Sequence, residues 1–413
     1  MHSNPLQDKP LRRFVVAATL ALATGSAAAD AITDWNLKAS ELITEARLGT
    51  PPAVRVMAIV QTAAYDAATA AAGRQPGGHR AADPQAATAV DAAIAAAHRT
   101  TLVRLLPAQQ TGIEAAYQAA LARLADGPAK SAGVAAGEQA ATALLATRSD
   151  DGASTPETYR PHTTAGVYVP TATPAVPQWR QRKPWLMTSA TQFRPASPPA
   201  LASSAWAAEY NEVRTMGGRT GSRRSAEQTE IARFWEYSLP AIYYGVVQSV
   251  AQAPGRDVVK NARLYAAAAQ AMDDALISVF EAKYHYLFWR PVTAIRNGEI
   301  DGNDATVAEP GWTPLVDVPM HPEYPSAHAS LAAAIGAVLQ AEVRNAPMPA
   351  LSTSSATAKG AVRRWSSVEE FVREVADARV WGGMHYRFSS EVGIAMGSRI
   401  GALAAAKHLG LPH

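Results

Sequence analysis

Cysteine is absent from the 413 residues, which excludes disulfides, thiolate metal centres and a thiol nucleophile. Neither sign of charge dominates: 38 Lys and Arg stand against 35 Asp and Glu. Lys9, Arg12, Arg13 and Asp8 lie at the N-terminus, so 35 basic and 34 acidic residues remain beyond position 29. That balance gives no basic field for nucleic acid or an anionic membrane surface. Aromatic residues make up only 7%. No window stays apolar for the roughly 20 residues a membrane helix needs, so no membrane span is expected. Sustained strand alternation and internal repeats are missing too.

Alanine, the strongest helix former, recurs throughout. Residues 1–29 read as a secretory signal peptide: Lys9, Arg12 and Arg13 form a positive start, 14–23 an apolar core, and Ala27 to Ala29 a small-residue cleavage site. An exported protein, periplasmic or extracellular, follows from that reading. Residues 30–150 form an N-terminal helical region with apolar spacing over 34–47, 53–72, 86–106, 108–125 and 129–148. Residues 151–202 are a proline-rich irregular segment, because proline removes a backbone donor and restricts its predecessor. Trp179 and Trp185 suggest that this segment packs against the body. Residues 203–413 form a second helical bundle, with helices expected over 206–215, 225–253, 256–288, 326–343, 367–380 and 391–409. The expected fold class is all-α, a helical bundle.

Three segments of that bundle concentrate anion-binding side chains. In the first, Lys283 and Arg290 are seven residues apart. Nearly two turns of helix would place them on one face, with Pro291 ending the helix. Tyr284, Tyr286, Leu287, Phe288 and Trp289 intervene, which marks the face as buried rather than solvated. In the second, Ser326 occupies an N-cap position before an apolar helix, and His328 lies in its first turn. A helix start offers free N–H groups and a positive dipole end. A first-turn histidine there has a pKa near neutrality suited to acid–base work. In the third, Arg379 ends a helix opened by a capping-box pattern over 367–370, and His385 follows Gly382-Gly383. Taken singly, Ser326 reads as a cap, Arg379 as a surface charge and His328 as structural. Together they suit a tetrahedral oxyanion of two or three negative charges.

These segments resemble the signature shared by vanadium haloperoxidases, type-2 phosphatidic-acid phosphatases and bacterial acid phosphatases: K-x6-R-P, P-S-G-H and S-R-x5-H-x3-D. Six residues separate Lys283 from Arg290 and five separate Arg379 from His385, as the pattern requires. The runs Phe288-Trp289-Arg290-Pro291, Glu323-Tyr324-Pro325 and Met384 to Phe388 are closer to the haloperoxidase branch, as are Asp34-Trp35-Asn36 and Glu227 to Trp235.

The resemblance implies a haloperoxidase-type helical fold and a vanadate cofactor, with phosphate able to occupy the same site. Lys283, Arg290, Ser326, the Ala327 amide and Arg379 would hold the equatorial oxygens. His385 would be the metal ligand, His328 the acid–base residue, and Lys283 a further catalytic group. His321, seven residues before His328, stands where family bromoperoxidases tend to carry histidine, and Phe280, one turn before Lys283, is expected to form an apolar wall of the pocket. His285 is read as packing. Three positions depart from the pattern: Ala327 replaces glycine, Ala378 replaces serine, and Ser389 replaces the aspartate that would orient His385. Glu391 is a further carboxylate near that position.

Three functions are compatible with this set. One is a vanadate-dependent haloperoxidase using hydrogen peroxide and halide, with bromide first among the halides. Another is a phosphomonoesterase acting on a phosphate ester through a histidine nucleophile. The third is a non-catalytic oxyanion-binding protein. A homo-oligomer remains open.

Overall fold

The computed structural model describes residues 30–73 and 84–411. The proposed signal peptide lies outside these residues. The described chain is all-helical apart from one small hairpin, as the alanine-rich patterning predicts. The N-terminal part comprises α1 (Ala31–Glu45), α2 (Thr50–Ala71), α3 (Pro84–Leu105), α4 (Gln110–Ala122) and α5 (Pro128–Thr147). The C-terminal part comprises α6 (Ser204–Met216), α7 (Ala226–Phe234), α8 (Ala241–Ala251), α9 (Val258–Tyr286), α10 (Pro291–Arg296), α11 (Ala327–Val343), α12 (Val368–Trp381) and α13 (Arg387–Leu409). No helix among the described residues is long and apolar enough to cross a membrane.

The 29-residue α9 is the axis, buried on nearly every face against α2, α11 and α13. Helix α13 lies directly on α11 because Gly393, Gly397 and Gly401, one turn apart, face it. A Cβ on Gly397 would come within 2.1 Å of the Ser330 carbonyl oxygen, and one on Gly401 within 2.2 Å of that of Ala334. Such close approach seats the start of α13 against the start of α11, where the sequence places its histidines.

Three sequence expectations are revised. The continuous helix over 225–253 is two helices, α7 and α8, parted at Pro240, which supplies no amide hydrogen to continue the ladder. The helix over 256–288 ends at Tyr286, where Leu287 turns left-handed with φ 52°. Pro291 therefore opens α10 rather than closing α9, and Arg290 is the extended residue before it. Finally, β1 (Leu351–Ser355) and β2 (Ala361–Trp365) pair antiparallel, Leu351 opposite Trp365. The inward residues Leu351, Thr353 and Ser355 alternate, but two are hydroxylated, so hydropathy does not reveal the period.

The proline-rich segment is packed along α9, held by adjacent buried aspartates. Asp273 accepts from Arg182 at 2.6 Å and from the Trp185 indole at 2.8 Å. Asp274 accepts the backbone N–H groups of Trp185, Leu186 and Met187 at 2.7, 2.8 and 3.1 Å. Burial pushes the Asp274 pKa up to about 6, although those three donors pull the other way. The folded chain therefore binds this proton at a higher pH than the unfolded chain. Asp274 stabilises the fold progressively as pH falls through 6 toward its ordinary value, and that contribution is lost as pH rises through 6. Relative to Asp274→Asn, the wild type is expected to gain roughly 1 kcal/mol of unfolding free energy between pH 7 and pH 5. Urea titrations at the two pH values measure the difference, and parallel pH dependence of the two proteins would refute the assignment.

Candidate functional site

The loop before α11, the start of α11 and the α12–α13 turn meet beside the end of α9. Lys283, on the last turn of α9, is fully buried and donates to the carbonyls of Pro322 and Glu323 at 2.9 and 2.6 Å. Arg290 reaches the same place after the chain reverses at Leu287. Its Nε donates to the His321 carbonyl at 3.0 Å, and its Nη1 to the Met384 carbonyl at 2.9 Å. Arg379, on the last turn of α12, donates to the Trp235 carbonyl and approaches the Met384 sulfur at 3.1 Å. Both guanidinium groups thus converge on Met384. Lys283 and Arg290 share one site, but through the turn after α9 and not through a common helical face.

Charge is the dominant feature. Among the described residues no carboxylate lies within ion-pair distance of Lys283, Arg290 or Arg379. Burial, the largest cause in each case, pushes Lys283 well below its ordinary pKa, Arg290 to about 10 and Arg379 to about 9. Arg290 and Arg379 deepen the depression at Lys283, and Arg290 deepens it at Arg379, while Glu323 opposes it at Lys283 and Arg290. Three buried cations with so little compensation are costly without an anion.

His385 precedes α13 and is buried. Its Nδ1 lies 2.7 Å from Glu323 Oε1, and its Nε2 lies 3.3 Å from Arg290 Nη1. A guanidinium only donates, so Nε2 carries the lone pair and Nδ1 carries the hydrogen. Burial, then Arg290, Lys283 and Arg379, hold the ring well below its usual pKa. Burial raises Glu323 to about 7 against the pull of Lys283 and Arg290. The 2.7 Å contact is therefore read as a hydrogen bond from a neutral imidazole, not as an ion pair. Glu323 also accepts from the Tyr386 amide at 3.1 Å.

Glu323 is the residue that sequence reading overlooked. The family pattern directs attention to position 389, four residues after His385, whereas the carboxylate arrives from the loop before α11. It lies beside Tyr324-Pro325, and nothing local signals contact with a histidine 62 residues away. Ser389 is buried and is one of the groups favouring the charged form of Glu323. Glu391 is exposed and is not the partner of His385.

Ser326 is the N-cap of α11, with its Oγ 3.5 Å from the Ala329 amide and its own amide bonded to Ser389 O at 3.0 Å. Ala327 is the first residue of α11 and is not among the residues with positive φ. Alanine is therefore unstrained there, and the glycine of the family pattern is not required by backbone conformation. His328 has Nε2 buried without a hydrogen-bond partner. Its pKa lies well below the usual value, chiefly through burial and then Arg379, while the Tyr237 carbonyl opposes the shift. His321 accepts from Arg290 Nη2 at 3.0 Å and packs on Phe280 with ring centroids 5.1 Å apart. These two form a wall behind Arg290.

The donor set fits an oxyanion. Two guanidinium groups, an ammonium and the start of α11 surround it, while His328 Nε2 and Arg379 Nε are buried without partners. His385 Nε2 has a lone pair whose only hydrogen-bond partner among the described residues is a guanidinium.

Residues 263–411 match the family described as the VCPO second helical-bundle domain. Vanadium chloroperoxidase from Curvularia inaequalis is 32% identical over 171 residues, covering 34% of this chain and 28% of that protein. The chain thus spans little more than a quarter of that relative's length in the match. The solved structure of a bacterial vanadium-dependent iodoperoxidase superposes with a TM-score of 0.70 at 24% identity, covering 91% of this chain and 95% of that one. The holo form of a bacterial vanadium-dependent chloroperoxidase gives 0.67 at 19% identity, covering 88% and 94%. Residues 263–411 therefore resemble the VCPO second helical-bundle domain, and the chain as a whole shares the all-helical fold of these solved structures.

Proposed function

We propose that this protein is a vanadate-dependent haloperoxidase that oxidises halide with hydrogen peroxide. The observation that carries the reading is the cluster of three buried cations, without carboxylate ion pairs among the described residues, around a helix start and a histidine lone pair. Lys283, Arg290, Arg379, Ser326 and the Ala327 amide would hold the equatorial oxygens of vanadate. His385 would be the metal ligand through Nε2. Vanadate held there would supply a Lewis-acidic centre that activates hydrogen peroxide without changing oxidation state.

The protein's own groups do the rest. The cations are preorganised for a charge that water would otherwise screen. Glu323, bonded to His385 Nδ1, and Arg290, against Nε2, together favour the tautomer whose lone pair is on Nε2. The buried, unpartnered Nε2 of His328 supports a role for that residue in taking a proton from an incoming peroxide and returning it. His321 and Phe280 flank Arg290 on the side expected for halide, and bromide is the halide to test first. The composition of residues 1–29 supports export, and we take residues 203–413 as the catalytic bundle.

Apo-protein loaded with orthovanadate should brominate with hydrogen peroxide and lose that activity on chelation or dialysis of vanadate. Hydrolysis of p-nitrophenyl phosphate is assayed in parallel. Vanadate-inhibited hydrolysis without bromination would replace the proposal with a phosphomonoesterase. Anion binding with neither activity would leave an oxyanion-binding protein.

A further inference from the structure

A second cavity shares Arg290 with the oxyanion cage. Its volume is about 360 Å³, and Tyr168, Val169, Val292, Val318 and Met320 are among its walls. That is the small end of the range for sites that enclose a small molecule. Its charged lining is Arg290 on the cage side and Arg219 and Asp317, which pair at 3.6 Å on the exposed rim. The remaining lining is valine, proline, methionine, threonine and Tyr168.

The walls are fastened rather than loose. The Tyr168 amide donates to the Leu287 carbonyl at 2.6 Å, and the Trp289 amide to Gly166 O at 2.9 Å. The Ala175 amide donates to Met320 O at 2.6 Å. On the opposite side, the Arg219 amide donates to Thr313 O at 2.8 Å, Leu315 to Gly217 O at 2.9 Å and Val316 to Gly382 O at 3.2 Å. The proline-rich segment therefore forms one wall of a preformed space of set size, and the run 313–320 forms the other.

We propose that this cavity binds the organic acceptor of the reaction, a single-ring phenol, which rests on the haloperoxidase reading above. Apolar walls favour a ring, and the threonine and tyrosine hydroxyls can satisfy one hydroxyl group. A carboxylate in this position would compete with the cage anion for Arg290, whereas a phenol stays uncharged below pH ~10. In the chemistry, bromide loses two electrons to hydrogen peroxide, and with one proton the products are hypobromous acid and water. The ring carbon then exchanges C–H for C–Br, the displaced proton joins the hydroxide of hypobromous acid, and a second water leaves. Holding the ring next to Arg290 fixes which carbon meets the oxidant.

The test uses full-length protein and phenol itself. Ligand-observed NMR on the vanadate-free protein should show saturable phenol binding, weakened at least tenfold by Val318→Trp. Val169→Trp on the facing wall should do the same, with unchanged far-ultraviolet circular dichroism in both. With vanadate, peroxide and bromide, the ratio of ortho- to para-bromophenol from the wild type should depart from that of reagent hypobromous acid. In either variant it should return to the reagent ratio, while tribromide formation without phenol stays within twofold of wild type. Absence of saturable binding, indifference of binding to both tryptophans, or a wild-type product ratio equal to the reagent's would overturn the proposal. Saturable, tryptophan-sensitive binding in a protein that forms no tribromide would instead remove the haloperoxidase reading and support the cavity as a phenol site.

Discussion

Arg379→Met is expected to make the anion-free protein more stable and the anion-loaded protein weaker. The guanidinium is buried, its Nε has no partner, and burial holds its pKa down to about 9. Methionine matches much of its length without charge. Exchanging even a paired buried charge set for apolar side chains is neutral or stabilising by about 1–4 kcal/mol, and a buried guanidinium without a carboxylate partner has less attraction to lose. The same exchange should lower orthovanadate affinity by a hundredfold or more, since truncating one partner of a buried charge pair typically costs about 2–5 kcal/mol. Binding adds stability only to a protein that binds. At a hundred times its dissociation constant, vanadate should add ~2.7 kcal/mol to the wild type and almost nothing to the variant. Vanadate should therefore shift the stability difference by ~2.7 kcal/mol in favour of the wild type. Urea unfolding in phosphate-free buffer, with and without orthovanadate, measures both halves. A variant that is less stable without anion yet binds vanadate normally would show that Arg379 serves the fold alone.

The second large effect concerns His385 and the carboxylate behind it. His385→Ala should abolish vanadate ligation with helical content intact. Glu323→Ala should leave the imidazole in place but free to choose its tautomer, and loss of such a supporting partner typically costs ~10–100-fold in metal affinity. Ser389 is buried and close enough to Glu323 to favour its charge. Adding Ser389→Asp to Glu323→Ala should therefore return a carboxylate to the family position and recover at least tenfold of the lost affinity. Nitrogen chemical shifts of His385 report the tautomer without vanadate: Nδ1 protonated in the wild type, mixed in Glu323→Ala, and restored in the double variant. Unchanged shifts and affinity in Glu323→Ala would show that Arg290 alone orients the ring.

Within the cage, the sequence pattern and the tertiary structure divide the work. Lys283, Arg290, Ser326, Arg379 and His385 were recognisable because their spacing within each segment is short and set by local backbone geometry. Ala327 departs from the glycine of the family pattern, and its place in the first turn of α11, without positive φ, shows that alanine is accommodated there. The grouping of Lys283 with Arg290 was foreseen for the wrong reason, because a left-handed Leu287 is not visible in a helical period. The hairpin escaped notice because its inward side chains include Thr353 and Ser355.

What the sequence determined by itself was the helical class, from alanine content and 3.6-residue spacing, and the burial of Lys283 and Arg290, from their setting among aromatic residues. Only the tertiary structure decided which carboxylate serves His385, which wall closes the cavity beside Arg290, and that the proline-rich segment is pinned by Asp273 and Asp274. Helical period is a property of neighbours along the chain. Contacts such as Glu323 with His385 depend on how closely α13 settles on α11, and three glycines set that distance by leaving out their side chains.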